Sequence, residues 1–310
     1  MGCSTMVVLV LPTLNACNTS SNLFKSIEKQ TIRPDKILVI DSSSDDDTVP
    51  AFKNYGFEVH VIPRSSFDHG ATRQLALTLC PDAEIIIYMT QDAILGSSDS
   101  IKNILAPFIK DETVGAVCGR QLPHADATPI AAHARLFNYP AVSSIRSKED
   151  IPRIGIKAAF ISNSFAAYRR TALTDVGGFP TNTIFGEDTF VAARMLLAGW
   201  KIAYAADASC YHSHNYSIWE EFERYFDIGV FHSRERWFIE SLGKAEGEGR
   251  KFVMSELNYL LRHAPYLIPS ALMRTSLKLI GYRLGQQEKR MPLFLKRKLS
   301  MNKGFWEKHG

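Results

Sequence analysis

Along the first two thirds of the chain, short wholly apolar runs alternate with amphipathic stretches. "MVVLVL" (6–11) reads as a fully buried strand stopped by Pro12 and Asn15. A helix is expected over Asn18–Gln30, with Asn18, Thr19 and Ser20 offering N-cap oxygens and Leu23 and Ile27 on one face. "KILVID" (36–41) is a second buried strand, ending on Asp41, and "FEVHVIP" (57–63) is a third. A helix opens at Gly70 and runs to Leu79, a fourth strand covers 84–89, Ser100–Ile109 is helical, and "VGAVCGR" (114–120) is strand-like again. Strands written as apolar runs and separated by helices predict an α/β fold, an open, mainly parallel sheet with helices on both faces.

Residues 121–157 break this rhythm with Pro123, Pro129, Pro140 and Pro152, and read as an active-site loop region. Regular structure then returns. "AAFISNSFAAYRRTAL" supplies a strand and a helix start, "GEDTFVAARMLLAG" an amphipathic helix, and "WKIAYAADASCYHSH" a strand with an exposed turn. From about 217 the pattern is helical, with Pro265, Pro269 and Pro292 favouring short segments over one long helix. The expected division is a catalytic domain over 1–216 and a C-terminal helical region over 217–310.

Composition adds little: 310 residues, 45% hydrophobic and 22% charged, are ordinary for a soluble globular protein. No apolar run reaches eighteen residues, and the N-terminus lacks a basic region before an apolar one, so neither a spanning helix nor secretion is expected. "MGCSTM" has Met6 where a myristoylation start needs Ser or Thr. The five cysteines (3, 17, 80, 118 and 210) show no metal or redox spacing, which suggests reduced thiols in a cytoplasm. Charge changes the picture more. Residues 250–310 hold 13 Lys+Arg against 3 Asp+Glu, leaving 23 against 29 for the rest. A basic tail on a slightly acidic body suggests an anionic partner. Anionic lipid and nucleic acid both fit that charge, but no nucleic-acid recognition motif accompanies it, so no nucleic-acid partner is expected.

Candidate chemistry gathers where the apolar runs end. Ligands of open α/β sheets bind beyond the carboxyl ends of strands. Polar clusters follow successive strands here: Thr13 and Asn15, Asp41 to Asp47, Arg64 to Arg73, and Gln91-Asp92. One such cluster reads as a turn, whereas the series points to one shared pocket.

"VLPTLN", "VIDSSSDDDT", "FDHGATRQLAL", "YMTQDA", "NSFAAYRR" and "FGEDTFVAARMLLAGWKI", in that order, resemble a family 2 glycosyltransferase of the GT-A fold. "FDHGATR", "TQDA" and "MPLFLKRKLSMNKGFW" are similar to bacterial rhamnosyltransferases that use dTDP-L-rhamnose. The general motifs span about 6–215 and the finer ones reach the C-terminus.

The resemblance implies roles. It puts Asp41 at the nucleotide base, where a carboxylate can accept the N3–H of thymine or uracil, with Thr13, Asn15 and Gln91 in the same donor site. Arg73, in the first turn after His69-Gly70, suits the diphosphate, and Arg64 is either a second such cation or a surface charge. The family's Asp-x-Asp metal motif is reduced to Thr90-Gln91-Asp92, so one carboxylate, Asp92, is left to hold Mg²⁺ or Mn²⁺. "CYHSH" (210–214), where relatives often supply a metal-binding histidine, offers His212 first and His214 second, and an imidazole favours Mn²⁺. In "FGEDTF" the second acid, Asp188, matches the catalytic base, which takes the acceptor hydroxyl's proton as that oxygen attacks the anomeric carbon with inversion. Glu187 would orient the acceptor or the loop, and Asn163 and Ser164 would line the sugar and acceptor site. The plainer readings are a loop cap for Asp41, hydrogen-bonded loop histidines, and two acids set against a helix macrodipole.

The resulting expectation is a cytoplasmic, inverting rhamnosyltransferase, peripheral on the inner face of the cytoplasmic membrane. It would move L-rhamnose from dTDP-L-rhamnose to a lipid-linked acceptor in O-antigen or capsule synthesis. The basic tail would either lay an apolar face against a bilayer or bury it in a helical subdomain or homo-oligomer interface. Rival expectations are the same fold with a UDP-hexose donor, a catalytically silent nucleotide-sugar or lipid-binding subunit, and a peripheral membrane adaptor.

Overall fold

A computed structural model of the protein describes residues 5–309. Cys3 and the "MGCS" start of the chain lie outside them. The first half comprises β1 (Val7–Thr13), α1 (Cys17–Glu28), β2 (Lys36–Asp41), α2 (Thr48–Asn54), β3 (Glu58–Val61), α3 (His69–Leu79), β4 (Ile85–Met89), β5 (Ile94–Leu95), α4 (Ser100–Lys110), β6 (Val114–Leu122), α5 (Pro129–Asn138) and β7 (Ser144–Arg146). The second comprises α6 (Ile151–Ile154), β8 (Phe165–Arg169), α7 (Arg170–Asp175), α8 (Glu187–Leu197), β9 (Lys201–Tyr211), α9 (Ile218–Arg234), α10 (Arg236–Leu242), α11 (Glu248–His263), α12 (Ile268–Gly285), α13 (Leu293–Leu299) and α14 (Lys303–His309).

The strands form one sheet in the order β3-β2-β1-β4-β8-β6-β9-β5, with β7 on β9. The neighbours β3, β2, β1 and β4 are parallel, as are β6 and β9, while β8 lies antiparallel between β4 and β6. The long strands therefore all run one way except β8. That exception matters for the site. Met89 at the end of β4 is opposite Phe165 at the start of β8, so the residues just before β8 arrive at the carboxyl ends of the parallel strands. Thr13 is likewise in register with Asp41.

Alternate residues of each strand feed two cores, one on each face, because successive side chains of a strand point to opposite sides. Val8, Val10, Leu38, Ile86 and Tyr88 pack with α3, α7 and α8. Val7, Leu9, Leu11, Val39 and Ile87 pack with α1, α2 and α4. The first core continues into the C-terminal region through Phe226, Val230, Phe238 and Trp306, and Trp306 is 1% exposed.

Local departures from the sequence reading have physical causes. The first helix begins at Cys17, and its N-terminal amides are capped from another loop: Ala16 N–H donates to Thr48 Oγ1 (2.7 Å) and Cys17 N–H to Asp46 Oδ2 (3.2 Å). The stretch 121–157, expected to be loop, contains α5. Its start was legible, since Thr128 Oγ1 accepts from Ala131 N–H and Pro129 stands in the first turn, where its missing N–H costs nothing.

Candidate active site

The carboxyl ends of β1, β2 and β4 are tied together by short polar side chains. Asp41 is fully buried and accepts from Thr13 Oγ1 (2.8 Å), Ser44 N–H (2.8 Å) and Ser44 Oγ (2.6 Å). These bonds fold the 42–47 loop over β2, and Oδ1, which takes only the Ser44 N–H, keeps a further lone pair. Asn15, with φ 50°, accepts from Asp45 N–H at Oδ1 (2.9 Å) and donates its own N–H to Ser44 Oγ (2.8 Å). Arg64 is held by Asp45 (2.7 Å). Gln91 is engaged by protein. Its amide clasps the Leu14 backbone at both ends, Oε1 accepting the N–H (2.7 Å) and Nε2 donating to the carbonyl (3.0 Å), which makes it a strut between β1 and β4.

Beyond β4, Asp92 meets the turn after β9. Its Oδ2 is 3.4 Å from His212 Nε2 and 3.8 Å from His214 Nε2, and one ligand atom from each of the three residues falls within a 4.8 Å cluster. His212 and His214, two residues apart in extended chain, thus both turn to the acid, so the sequence choice between them dissolves. His212 is buried, and its Nδ1 lies 3.0 Å from Gln121 Oε1. That oxygen can only accept, so Nδ1 carries a proton and Nε2 is the ring atom that faces the carboxylate. A cation there would take the lone pair of Nε2 in place of a proton. One carboxylate and two imidazoles are a donor set suited to a divalent first-row metal. Burial alone would raise Asp92, but the hydrogen bond and charge of His212, with Thr90 and His214, hold it far below the usual carboxylate range. Burial first, then the positive neighbours His212, Arg135 and Arg224, hold His214 down to about 4 against the pull of Asp92.

The second cluster stands at the N-terminus of α8. Gly186, with φ 72°, turns the chain into that helix in a conformation that side-chain-bearing residues disfavour. Glu187 is buried, 3.2 Å from Arg73 Nη1, and accepts from Asn163 Nδ2 (3.1 Å). Tyr168 donates to Asn163 Oδ1 (2.8 Å), which orients that amide. Asp188 is half-buried and accepts from Thr189 N–H (2.7 Å) at Oδ1 and from Asn163 N–H (3.2 Å) at Oδ2, leaving Oδ2 a spare lone pair. The two adjacent acids are driven apart. Burial would raise Glu187, yet Arg73, His69 and Asn163 keep it below its ordinary value. Burial and the neighbouring Glu187 charge push Asp188 up to about 6.

Other residues singled out in the sequence face protein groups here. Arg73 is 5% exposed, and its Nη1 lies 3.2 Å from Glu187 and donates to the His69 carbonyl (2.8 Å), while its Nε is buried without a partner. Gly70 lets the chain of Pro180 approach, since a Cβ there would come 1.7 Å from the Pro180 carbonyl oxygen. Asn163 is buried, with its side-chain amide held between Glu187 and Tyr168. Ser164, also buried, lies 3.4 Å from His212 Nε2. Consecutive residues thus join the metal-ligand cluster to the acid pair.

Sequence reasoning missed Gln121 and Arg135, whose Nη1 donates to Gln121 Oε1, and Arg224, stacked over Phe185 with its charge felt at His214. It also missed a C-terminal clasp. Asp227 of α9 accepts from Ser300 Oγ (2.6 Å), Met301 N–H (3.1 Å) and Asn302, whose Nδ2 also donates to the Ile184 carbonyl (3.0 Å) just before α8. A repeated acid-to-backbone spacing was no help, because these partners are more than seventy residues apart.

Known proteins resemble this chain in sequence and in fold. A family model described as glycosyltransferase like family 2 matches residues 5–238. The O-antigen chain rhamnosyltransferase RfbN of Salmonella typhimurium is 50% identical over 301 residues, covering 97% of this chain and 96% of that protein. The O-antigen chain rhamnosyltransferase WbaN of Salmonella anatum is 48% identical over 299 residues, covering 96% and 95%. Among solved structures, a mannosyltransferase from Pyrobaculum calidifontis, in complex with GDP-Man and Mn²⁺, superposes with TM-score 0.57 at 19% identity over 97% of this chain and 85% of its own. S. aureus TarS 1–349 superposes with TM-score 0.53 at 15% identity, covering 92% and 91%. The fold is the GT-A type, and the chain belongs to glycosyltransferase family 2.

Proposed function

We propose that this protein is an inverting rhamnosyltransferase that moves L-rhamnose from dTDP-L-rhamnose to a lipid-linked O-antigen acceptor at the inner face of the cytoplasmic membrane. The observation that carries the mechanism is the placing of Arg73 3.2 Å from Glu187, with the adjacent Asp188 in no ion pair with a described residue, so that Glu187 is kept low and Asp188 is pushed up to about 6. Paired acids whose surroundings separate their proton affinities are a recurrent way to create a general base near neutral pH. Asp188 Oδ2 takes the proton of the acceptor hydroxyl. The acceptor oxygen forms its bond to the anomeric carbon as the bond from that carbon to the diphosphate oxygen breaks, and attack opposite the leaving group inverts the centre.

Asp92, His212 and His214 would hold a divalent cation, Mn²⁺ in preference to Mg²⁺ because two of the three ligands are imidazoles. When bound, the cation neutralises charge on the departing diphosphate. Arg224 and Arg135 add positive charge on that side. Support for rhamnose comes from the two Salmonella relatives, which span nearly the whole chain. The test is mass-spectrometric detection of rhamnose transfer from dTDP-L-rhamnose to lipid-linked acceptors, with UDP-hexoses as competing donors. Transfer from a UDP-hexose alone would reassign the donor. Donor binding without transfer or slow hydrolysis would make the protein a silent binding subunit.

A further inference from the structure

The helix α12 is apolar on two sides, and the chain covers only one of them. Its inner side is spent on α9. A Cβ on Gly281 would sit 2.6 Å from the Phe222 carbonyl oxygen and one on Gly285 2.0 Å from that of Phe226, so the two helices meet backbone to backbone. The other side carries Leu272, Met273, Leu279 and Ile280, each close to half exposed. Tyr266 before the helix and Phe294 after it are 77% and 71% exposed. Spacings of seven between 272 and 279, and between 273 and 280, keep this stripe on one face. Of the nineteen exposed large apolar side chains among the described residues, nine fall between 254 and 294. Single exposed apolar residues need no explanation, but a concentration of this kind marks an interaction surface.

Charge names the occupant. Arg274 and Lys278 of the same helix pair inward with Glu221, and Lys296 pairs with buried Glu288. Arg262, Arg283, Lys289, Arg290 and Lys298 are exposed, and none makes an ion pair with a described residue. An apolar stripe edged by unpaired cations complements an anionic bilayer surface, where the apolar groups enter the headgroup boundary and the cations meet phosphate. A second copy of the same face would bring like charges together. No helix among the described residues is long and apolar enough to cross a membrane, so the stripe is built to lie in the interface.

We propose that the outer face of α12, extended by Tyr266 and Phe294, docks this protein on an anionic lipid surface, with Arg283 and Arg290 at the phosphate level. This rests on the reading above that the acceptor is carried on lipid.

The full-length protein is to be sedimented with vesicles of phosphatidylcholine alone and of phosphatidylcholine mixed with phosphatidylglycerol, with its lipid-free mass measured by light scattering. Binding is expected to the mixed vesicles only, and to fall with added salt. The pair Leu279→Asp and Ile280→Asp, and separately the pair Arg283→Gln and Arg290→Gln, should each weaken binding about tenfold or more. Far-UV circular dichroism should be unchanged in both. A Phe294→Trp variant, whose emission should shift to the blue on mixed vesicles, reports docking independently of those pairs. Equal binding to neutral vesicles, binding untouched by either pair, or no shift at Trp would overturn the proposal. So would a lipid-free dimer that the aspartate pair dissolves. Rhamnose transfer to a water-soluble acceptor should survive the aspartate pair. A wild-type protein that binds vesicles but transfers no rhamnose would defeat the sugar reading and leave docking intact.

Discussion

Asp92 and Asp188 stand on either side of the Asn163-Ser164 segment, and each begins as a partly buried carboxylate near the end of a strand or the start of a helix. Asp92 is ringed by two imidazoles and kept ionised far into acid. Asp188 is placed beside a second acid and pushed up to about 6. Burial acts in the same direction on both, so the partners decide. Opposite charge at one end makes a ligand that stays charged, and like charge at the other makes a base that can take up a proton and release it.

The largest expected effect breaks the base end. Asp188→Asn should lower rhamnose transfer by roughly 10²- to 10⁴-fold while leaving Mn²⁺ binding in calorimetry unchanged. Transfer at the wild-type rate would remove Asp188 from the chemistry. Next is Arg73→Leu, which leaves Glu187 buried without its cation. Urea unfolding should show a loss of about 3–5 kcal/mol, since a stranded buried charge costs far more than an exposed one. A loss under about 1 kcal/mol would mean that the pair is not holding the acid, as exposed ion pairs behave.

The metal end is sharpened by Gln121→Leu. Without the acceptor for His212 Nδ1–H, Mn²⁺ affinity by calorimetry should drop about 10- to 100-fold. An unchanged affinity would show that His212 is oriented by something else. The smallest effect expected is that of Asn302→Ala, which cuts the clasp between α9 and the loop before α8. A stability loss of about 1 kcal/mol, seen as a lower thermal midpoint, follows from the loss of its side-chain hydrogen bonds.

The two ends also differ in how far the sequence revealed them. Asp92, His212 and Asp188 were named by the resemblance, whose motifs fall where a polar tip follows an apolar run or opens a helix. The antiparallel insertion of β8 was not legible, and it is what carries Asn163 and Ser164 between the clusters. The pairing of Arg73 was not legible either, because an arginine early in a helix looks like an anion site until the neighbouring helix is known. Only the packing of α3 beside α8 shows that Glu187 takes up its charge. Gln121 and Asp227 carried no local signal either, since a lone polar residue in an apolar stretch reads the same whether its partner is near or ninety residues away.

The measurement that bears most directly on the split acids is the pH dependence of kcat/KM for rhamnose transfer by the wild type and by Glu187→Gln. A base works ionised, so below its pKa the rate should fall about tenfold per pH unit. The wild type should turn down near pH 6, as the position of Asp188 requires. Replacing Glu187 removes the negative charge that raises Asp188, so the acid limb of the variant should move to lower pH. A limb that stays in place in the variant, or a wild-type profile flat through pH 6, would contradict the assignment of Asp188 as a base tuned by Glu187.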